Sequence, residues 1–253
     1  METKKRLFFP LLLTCLGLIL CASLATAFLS LSKIDKTDSS ITLSTESFNI
    51  YILEIGSSKL EAEAVQKGKD SMQDSNAGYV WEKDKFYVLS GIYLNENDAV
   101  LVKKQRKNSG QYAEIIKETF PSINISSVYS EKEREVLIKA LNSFYNTYLQ
   151  LFDMSVSIDG KYLNETSVIL KINEIKSNFN TIRSNFETLF KGEDNGFIKT
   201  VGAYLIDEEE SLDLLAQKQY IIPLQTLSSL IKYRYCECLH IYKNLLSEIM
   251  LEK

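Results

Sequence analysis

Asn49-Ile50-Tyr51-Ile52-Leu53-Glu54-Ile55, closed by Gly56-Ser57-Ser58, is the stretch on which the fold turns. An alternating run rich in β-branched and aromatic residues reads as a strand, and the glycine with two serines reads as its stop. About thirty residues later a second run, Phe86-Tyr87-Val88-Leu89-Ser90, closes the same way in Gly91-Ile92-Tyr93. A helical stretch follows each. Residues 58–72 carry Leu60, Ala64, Val65 and Lys69 at helical spacing, with Glu61 and Glu63 near the start, where the helix dipole favours anions. The second stretch, from Glu96, contains Ala99, Val100, Val102 and Lys103 before Ser109-Gly110 interrupts it. Between the two halves, Tyr79-Val80-Trp81 makes a short strand and Glu82-Lys83-Asp84-Lys85 turns it back. Residues 112–120 read as a further helical turn or two stopped by Pro121, and Ile123-Asn124-Ile125-Ser126-Ser127-Val128 as a candidate fourth strand.

The sum is a small βαββαβ unit, the order of ferredoxin-like and RNP-like folds. Ile52-Leu53-Glu54-Ile55-Gly56-Ser57 resembles the first-strand signature of bacterial SPOR (sporulation-related repeat) domains. Tyr87-Val88-Leu89-Ser90-Gly91-Ile92-Tyr93, followed by Asn95-Glu96-Asn97-Asp98-Ala99, resembles their third strand and the start of their second helix. The similarity spans roughly residues 47–129, and the family's usual glutamine is Glu54 here. The resemblance implies binding of peptidoglycan glycan strands that have lost their stem peptides, the form enriched at division septa. It also implies that the glutamine position lies on the sheet face away from the two helices.

Alternation then divides the residues. Ile50, Ile52 and Glu54 share the open face with Tyr79, Trp81, Tyr87 and Leu89, whereas Val80, Phe86 and Val88 enter the core with Tyr51, Leu53 and Ile55 on the opposite side. Flat aromatic rings suit the C–H face of a sugar, and a carboxylate or hydroxyl accepts from its rim. The expected glycan-binding set is therefore Ile52, Glu54, Ser57, Tyr79, Trp81, Tyr87 and Leu89. The alternative is that the helical region downstream covers this face, because both sides of the sheet are apolar.

At 253 residues and 45% hydrophobic, the chain is expected to hold two modest cores. Its 29 basic and 33 acidic residues leave a net charge of -4, which gives no electrostatic footing for nucleic acid. Lys4, Lys5 and Arg6 precede a charge-free apolar stretch, 7–32, longer than the roughly 20 residues that cross a bilayer. Basic residues before it predict a single N-terminal transmembrane helix with a cytoplasmic N-terminus and an extracytoplasmic body. A cleaved signal peptide is the alternative, because Ala25-Thr26-Ala27 fits a processing site. Leu20 is too bulky for lipoprotein processing at Cys21. Residues 33–47, rich in Ser and Thr, read as a flexible tether.

Downstream of Tyr129 the period changes. Leu137, Leu141, Phe144, Tyr148 and Leu151, then Ile172, Ile175, Phe179, Ile182, Phe186 and Leu189, fall at steps of four and three. A shorter helical stretch spans 197–217, and Pro223 opens a last one carrying Leu224, Leu227, Ile231, Cys238, Ile241, Leu245 and Ile249 on one side. Each is a single apolar stripe, so four such helices imply an antiparallel bundle. The expected organisation of this α+β chain is anchor 1–32, tether 33–47, SPOR-like domain 48–129 and bundle 130–253.

No catalytic constellation stands out. His240, the one histidine, lies in the last helix without a triad-like neighbour and reads as a packed or surface side chain. Cys236 and Cys238, two apart on a helix, point away from each other. No zinc spacing and no phosphate loop occurs, so neither metal nor cofactor is expected. Asp207-Glu208-Glu209-Glu210 reads as the solvated start of a helical segment. The expected function is a membrane-anchored, non-enzymatic peptidoglycan binder of division or sporulation, with an envelope or divisome protein met through the bundle. The alternative is an extracytoplasmic protein-interaction module without glycan binding.

Overall fold

The structure is a computed structural model that describes residues 43–44, 47–125, 129–218 and 223–251. The apolar stretch 7–32 lies outside them, and no helix among the described residues is long and apolar enough to cross a membrane. The chain is α+β. Strand β1 (Leu43–Ser44) leads to β2 (Phe48–Ser58), α1 (Glu61–Ser71), β3 (Tyr79–Glu82), β4 (Phe86–Tyr93), α2 (Glu96–Asn108), β5 (Glu114–Phe120) and β6 (Asn124–Ile125). Four long helices follow: α3 (Glu131–Asp159), α4 (Glu165–Leu189), α5 (Gly196–Lys218) and α6 (Leu224–Leu251).

Four strands form one antiparallel sheet in the order β3-β4-β2-β5. The two strands of the opening reading, β2 and β4, are the central pair. Their glycines do not stop them: β2 runs through Gly56 to Ser58, and β4 through Gly91 to Tyr93. Gly91 has a packing reason instead. A Cβ there would strike the Tyr235 hydroxyl of α6, so the missing side chain is what lets that ring approach the strand.

The fourth strand is where the sequence reading fails. Glu114–Phe120, expected to be helical, is β5 and pairs along its length with β2, Phe48 opposite Phe120 and Ile52 opposite Ile116. Ile116 and Phe120 alternate with Lys117 and Thr119, and the unpaired edge of β2 outweighs local propensity. The expected strand at 123–128 shrinks to β6, which pairs with β1 in a separate two-stranded ribbon. That ribbon draws Leu43–Ser44 out of the expected tether. Residues 126–128 and the tether from 33 to 42 fall outside the described residues.

Two bulges modify the alternation. Gly91 pairs with Leu53 and Leu89 with Glu54, which leaves Ser90 unpaired; Gly56 then pairs with Val88, which leaves Ile55 unpaired. Leu89 and Ile92, of opposite parity, thus both join the cluster on the bundle side.

Helices α1 and α2 cover one face of the sheet and bury only small residues, Ala64 and Gly68 from α1 and Ala99 from α2. Val65 and Val100, which fall within the expected helical stretches, are exposed. Val88 is buried, while Val80 and Phe86 are half-buried. The bundle follows its stripes closely. Helix α3 packs on α4, α4 on α5, α5 on α6, and α6 closes the ring against α3. Caps fix the helix starts: Ser130 and Glu133 form a reciprocal capping box at α3, and Asn95, Asn164 and Asn195 accept from backbone N–H groups at α2, α4 and α5.

The bundle and the sheet face turned toward it share one core, while Tyr51, Leu53, Val88 and Ala99 are buried outside that cluster. Ile50, Ile52, Trp81, Leu89, Ile92 and Phe120 of the sheet lie in the same buried cluster as Leu141, Tyr148, Tyr235, Leu239 and Leu245 of the bundle. Hydrophobic burial is additive in area and indifferent to sequence position, so an apolar sheet face beside an apolar helix pair closes on it.

Candidate functional site

The bundle-side face of the sheet carries the expected site residues, and α3 and α6 fill it. Trp81 is 1% exposed, and Ile52 and Leu89 are fully buried. The open surface expected there is therefore an internal interface, with Tyr79 at its edge.

Trp81 stacks on His240 of α6, ring centroids 4.4 Å apart and planes 20° from parallel. Tyr79 shares a 2.8 Å hydrogen bond with Nδ1 of the same imidazole and meets Tyr233 edge-on at 5.1 Å. Lys243, one turn on, places its ammonium 5.0 Å from the indole centre and 3.6 Å from Glu118 of β5. Lys83 of the β3–β4 turn holds the other oxygen of Glu118 at 2.7 Å. The indole N–H of Trp81 is buried without a hydrogen-bond partner. Burial first, and then the Lys243 charge, push the His240 pKa down to about 4, so the ring is neutral near pH 7. Burial likewise raises the Tyr79 hydroxyl, with Glu237 and Tyr233 adding to it.

Farther along the sheet, aromatic packing seals the interface. Phe48 stacks on Phe120 at 4.7 Å, and both meet Tyr242 of α6. Tyr235 meets Tyr148 and Phe152 of α3 edge-on at 5.6 Å. The signal for this contact was legible. Tyr235, Leu239, Tyr242 and Leu246 form a second buried stripe on α6 beside the one expected, and a helix apolar on two sides is packed on two sides.

The remaining expected residues gather at a rim around Lys85. Its ammonium donates to Ser57 Oγ at 2.8 Å, lies 4.7 Å from the Tyr87 ring centre and 4.0 Å from Glu54. Glu54 is 5% exposed, whereas Ser57 and Tyr87 are half-buried. The Tyr87 hydroxyl donates to Asp84 at 2.7 Å, and chiefly for that reason its pKa is pushed up to about 12. The structure thus separates the expected site into a sealed group, Ile52, Trp81 and Leu89 with Tyr79 at the edge, and a rim group, Glu54, Ser57 and Tyr87.

A second polar cluster escaped the sequence reading. Glu208, expected to be solvated, is fully buried in α5, where both its oxygens receive the Arg234 guanidinium of α6. Arg234 also pairs with Glu237, and the Cys238 thiol donates to Glu208 at 3.3 Å. Burial raises both the Cys236 and Cys238 thiols, and both are free. Among the described residues no group of His, Cys, Asp and Glu has the arrangement of a metal site. A bidentate pair buried between two helices fixes their register. Of the neighbouring carboxylates, Asp207 and Glu210 are exposed, whereas Glu209 is half-buried and pairs with Arg183.

Outside the interface, the largest aliphatic exposures of the βαββαβ unit lie on its outer helices. Leu60 and Val65 project from the start of α1, and Val100 and Leu101 from α2, Leu101 being 56% exposed. No family model matches the chain, and no curated protein or solved structure matches it either.

Proposed function

We propose that this chain is a non-enzymatic interaction protein of a bacterial envelope, held at the membrane by its N-terminal apolar segment and acting through contact with another envelope protein. One observation carries the choice over glycan capture: the aromatic sheet face is occupied by the chain's own α3 and α6. A face that is filled and shares a continuous core with its cover has no room for a sugar ring. What is left to a partner on the βαββαβ unit is the outer helix layer, where Leu60, Val65, Val100 and Leu101 stand in water. Tethering near the bilayer raises the effective concentration of such a surface for other membrane-held proteins.

The strand order β3-β4-β2-β5 and the βαββαβ succession agree with the ferredoxin-like arrangement expected of the sheet unit. A second reading keeps glycan as the ligand but moves it to the rim, because Glu54, Ser57 and Tyr87 remain together around Lys85 there. Two experiments separate the readings. Photo-crosslinker placed at Leu101 in growing cells is expected to give protein adducts that crosslinker at Tyr87 does not. Purified full chain is expected to pass over sacculi, with or without stem peptides, unretained. Retention on stripped sacculi that Tyr87→Ala abolishes would establish the rim reading and overturn the first.

A further inference from the structure

Two arginines are buried in the bundle, and only one of them is neutralised. Arg234 has Glu208 and Glu237. Arg134, in the second turn of α3, is 8% exposed, yet among the described residues its guanidinium makes no hydrogen bond and no ion pair. Nε is enclosed without an acceptor, while the two Nη nitrogens, also unbonded, keep contact with solvent. Three acids lie close in sequence. Glu133 is held in the cap with Ser130, Glu135 pairs with Lys139, and Glu131 stands exposed in water. A buried guanidinium is costly for a fold to keep unless an acceptor reaches it.

The position on α3 says what kind of acceptor fits. Side chains on an α-helix lean toward its N-terminus, which carries the Arg134 guanidinium over the first turn. The capping box there occupies the N–H groups of Ser130 and Glu133, and those of Glu131 and Lys132 have no partner among the described residues. Free N–H groups at the positive end of a 29-residue helix, beside an unpaired planar fork of donors, suit an oxyanion with several acceptor oxygens. The exposed Lys132 favours such a ligand and the exposed Glu131 opposes it, so the buried fork decides.

This end of the bundle is also the first that the chain reaches from its apolar stretch. The β1–β6 ribbon continues the ladder of β2 with β5 in the same register, since Leu43 lies five residues before Phe48 and its partner Ile125 five after Phe120. Helix α3 begins six residues beyond Ile125. The eleven residues from 32 to Leu43 span at most about 40 Å, so a bilayer holding 7–32 has phospholipid headgroups within reach of this end.

We propose that Arg134 and the open first turn of α3 form an anion site for a phosphate group, carried by a membrane lipid or free in solution. Only the lipid source rests on the membrane attachment proposed above.

The test titrates the full chain, in micelles of an uncharged detergent, with sodium phosphate at constant ionic strength. A second titration adds phosphatidylglycerol to the micelles, with phosphate-free diacylglycerol as control. The Nε–H resonance of Arg134, identified by its loss in Arg134→Lys, is expected to shift to saturation, and the thermal midpoint to rise with it. Arg134→Gln should weaken the apparent affinity about ten- to hundredfold. Arg134→Met, which leaves no buried charge, should fold in chloride at least as stably as wild type and gain nothing from phosphate. Saturation by phosphatidylglycerol where soluble phosphate does nothing assigns the lipid source, and the reverse assigns the soluble one. A chain that stays dispersed without detergent would remove the membrane attachment and leave the phosphate titration standing. A resonance that neither ligand moves, a shift that chloride reproduces, or equal stabilisation of Arg134→Met would each overturn the site.

Discussion

Replacing Trp81 by alanine distinguishes an internal seam from a binding surface more sharply than any other single change. The side chain is 1% exposed, stacked on His240 and approached by Lys243, and its N–H has no partner whose loss would complicate the outcome. A buried tryptophan removes about 200 Å² from water, which at roughly 25 cal/mol per Å² gives an upper bound near 5 kcal/mol. Measured Trp-to-Ala costs in cores, about 3–5 kcal/mol with the cavity included, agree with that. With a urea dependence of roughly 3 kcal/mol per M for a chain of this size, the midpoint should fall by about 1–1.7 M. The assay is urea unfolding followed by far-ultraviolet circular dichroism at 222 nm, a signal dominated by the long helices. A strand mutation moves a helix signal only if sheet and bundle unfold as one unit. Tyr87→Ala, at the half-buried rim, serves as the control and should cost under about 1 kcal/mol. A Trp81→Ala midpoint within error of wild type, or equal effects from the two variants, would refute the shared core.

Further expectations follow from the same packing. Glu208→Gln strands the Arg234 charge between α5 and α6, and only Glu237 remains to meet it; a loss of about 3 kcal/mol is expected in urea unfolding, largely recovered in Glu208→Leu with Arg234→Met. Gly68→Ala should lower stability by about 1–3 kcal/mol despite alanine's higher helix propensity, because the added Cβ runs into the Gly78 carbonyl of a neighbouring backbone; thermal unfolding reads this. Leu101→Asp should leave stability within about 0.5 kcal/mol while abolishing protein adducts formed by crosslinker at neighbouring α2 positions. The His240 pKa lies below its unfolded value, so the unfolded chain binds the proton first as pH falls. The stability this group contributes is complete above about pH 6.5 and is lost as pH falls toward about 4, up to roughly 3 kcal/mol, and His240→Gln should flatten that part of the stability–pH profile.

Much of the fold was legible because it follows from period. The alternation around Ile52 and Val88 marks the central strands, and the four- and three-residue steps of α3, α4 and α6 mark their buried stripes. What escaped depends on pairing at a distance. Glu114–Phe120 is a strand because β2 offers it an edge, and its short alternation of Ile116 and Phe120 with Lys117 and Thr119 was too brief a signal to mark it alone. Glu208 sits in a run of four acids that looks solvated, yet the residue that buries it, Arg234, is on another helix. The site illustrates the same limit. Alternation placed Ile52, Trp81 and Leu89 on one face, and they are together, but whether that face meets water or α6 is decided by the second stripe, Tyr235, Leu239, Tyr242 and Leu246. Exposure is a property of the whole chain's packing, and the strand alone cannot encode it.

The single tryptophan makes the central claim directly measurable. Acrylamide quenching of native Trp81 emission in the full chain at pH 7 reports whether that ring meets solvent. A ring enclosed by His240, Lys243 and the sheet core should emit at short wavelength and resist quenching until the protein unfolds. Long-wavelength emission quenched as readily as that of free tryptophan would mean that the sheet face stands open, and the account given for it would be wrong.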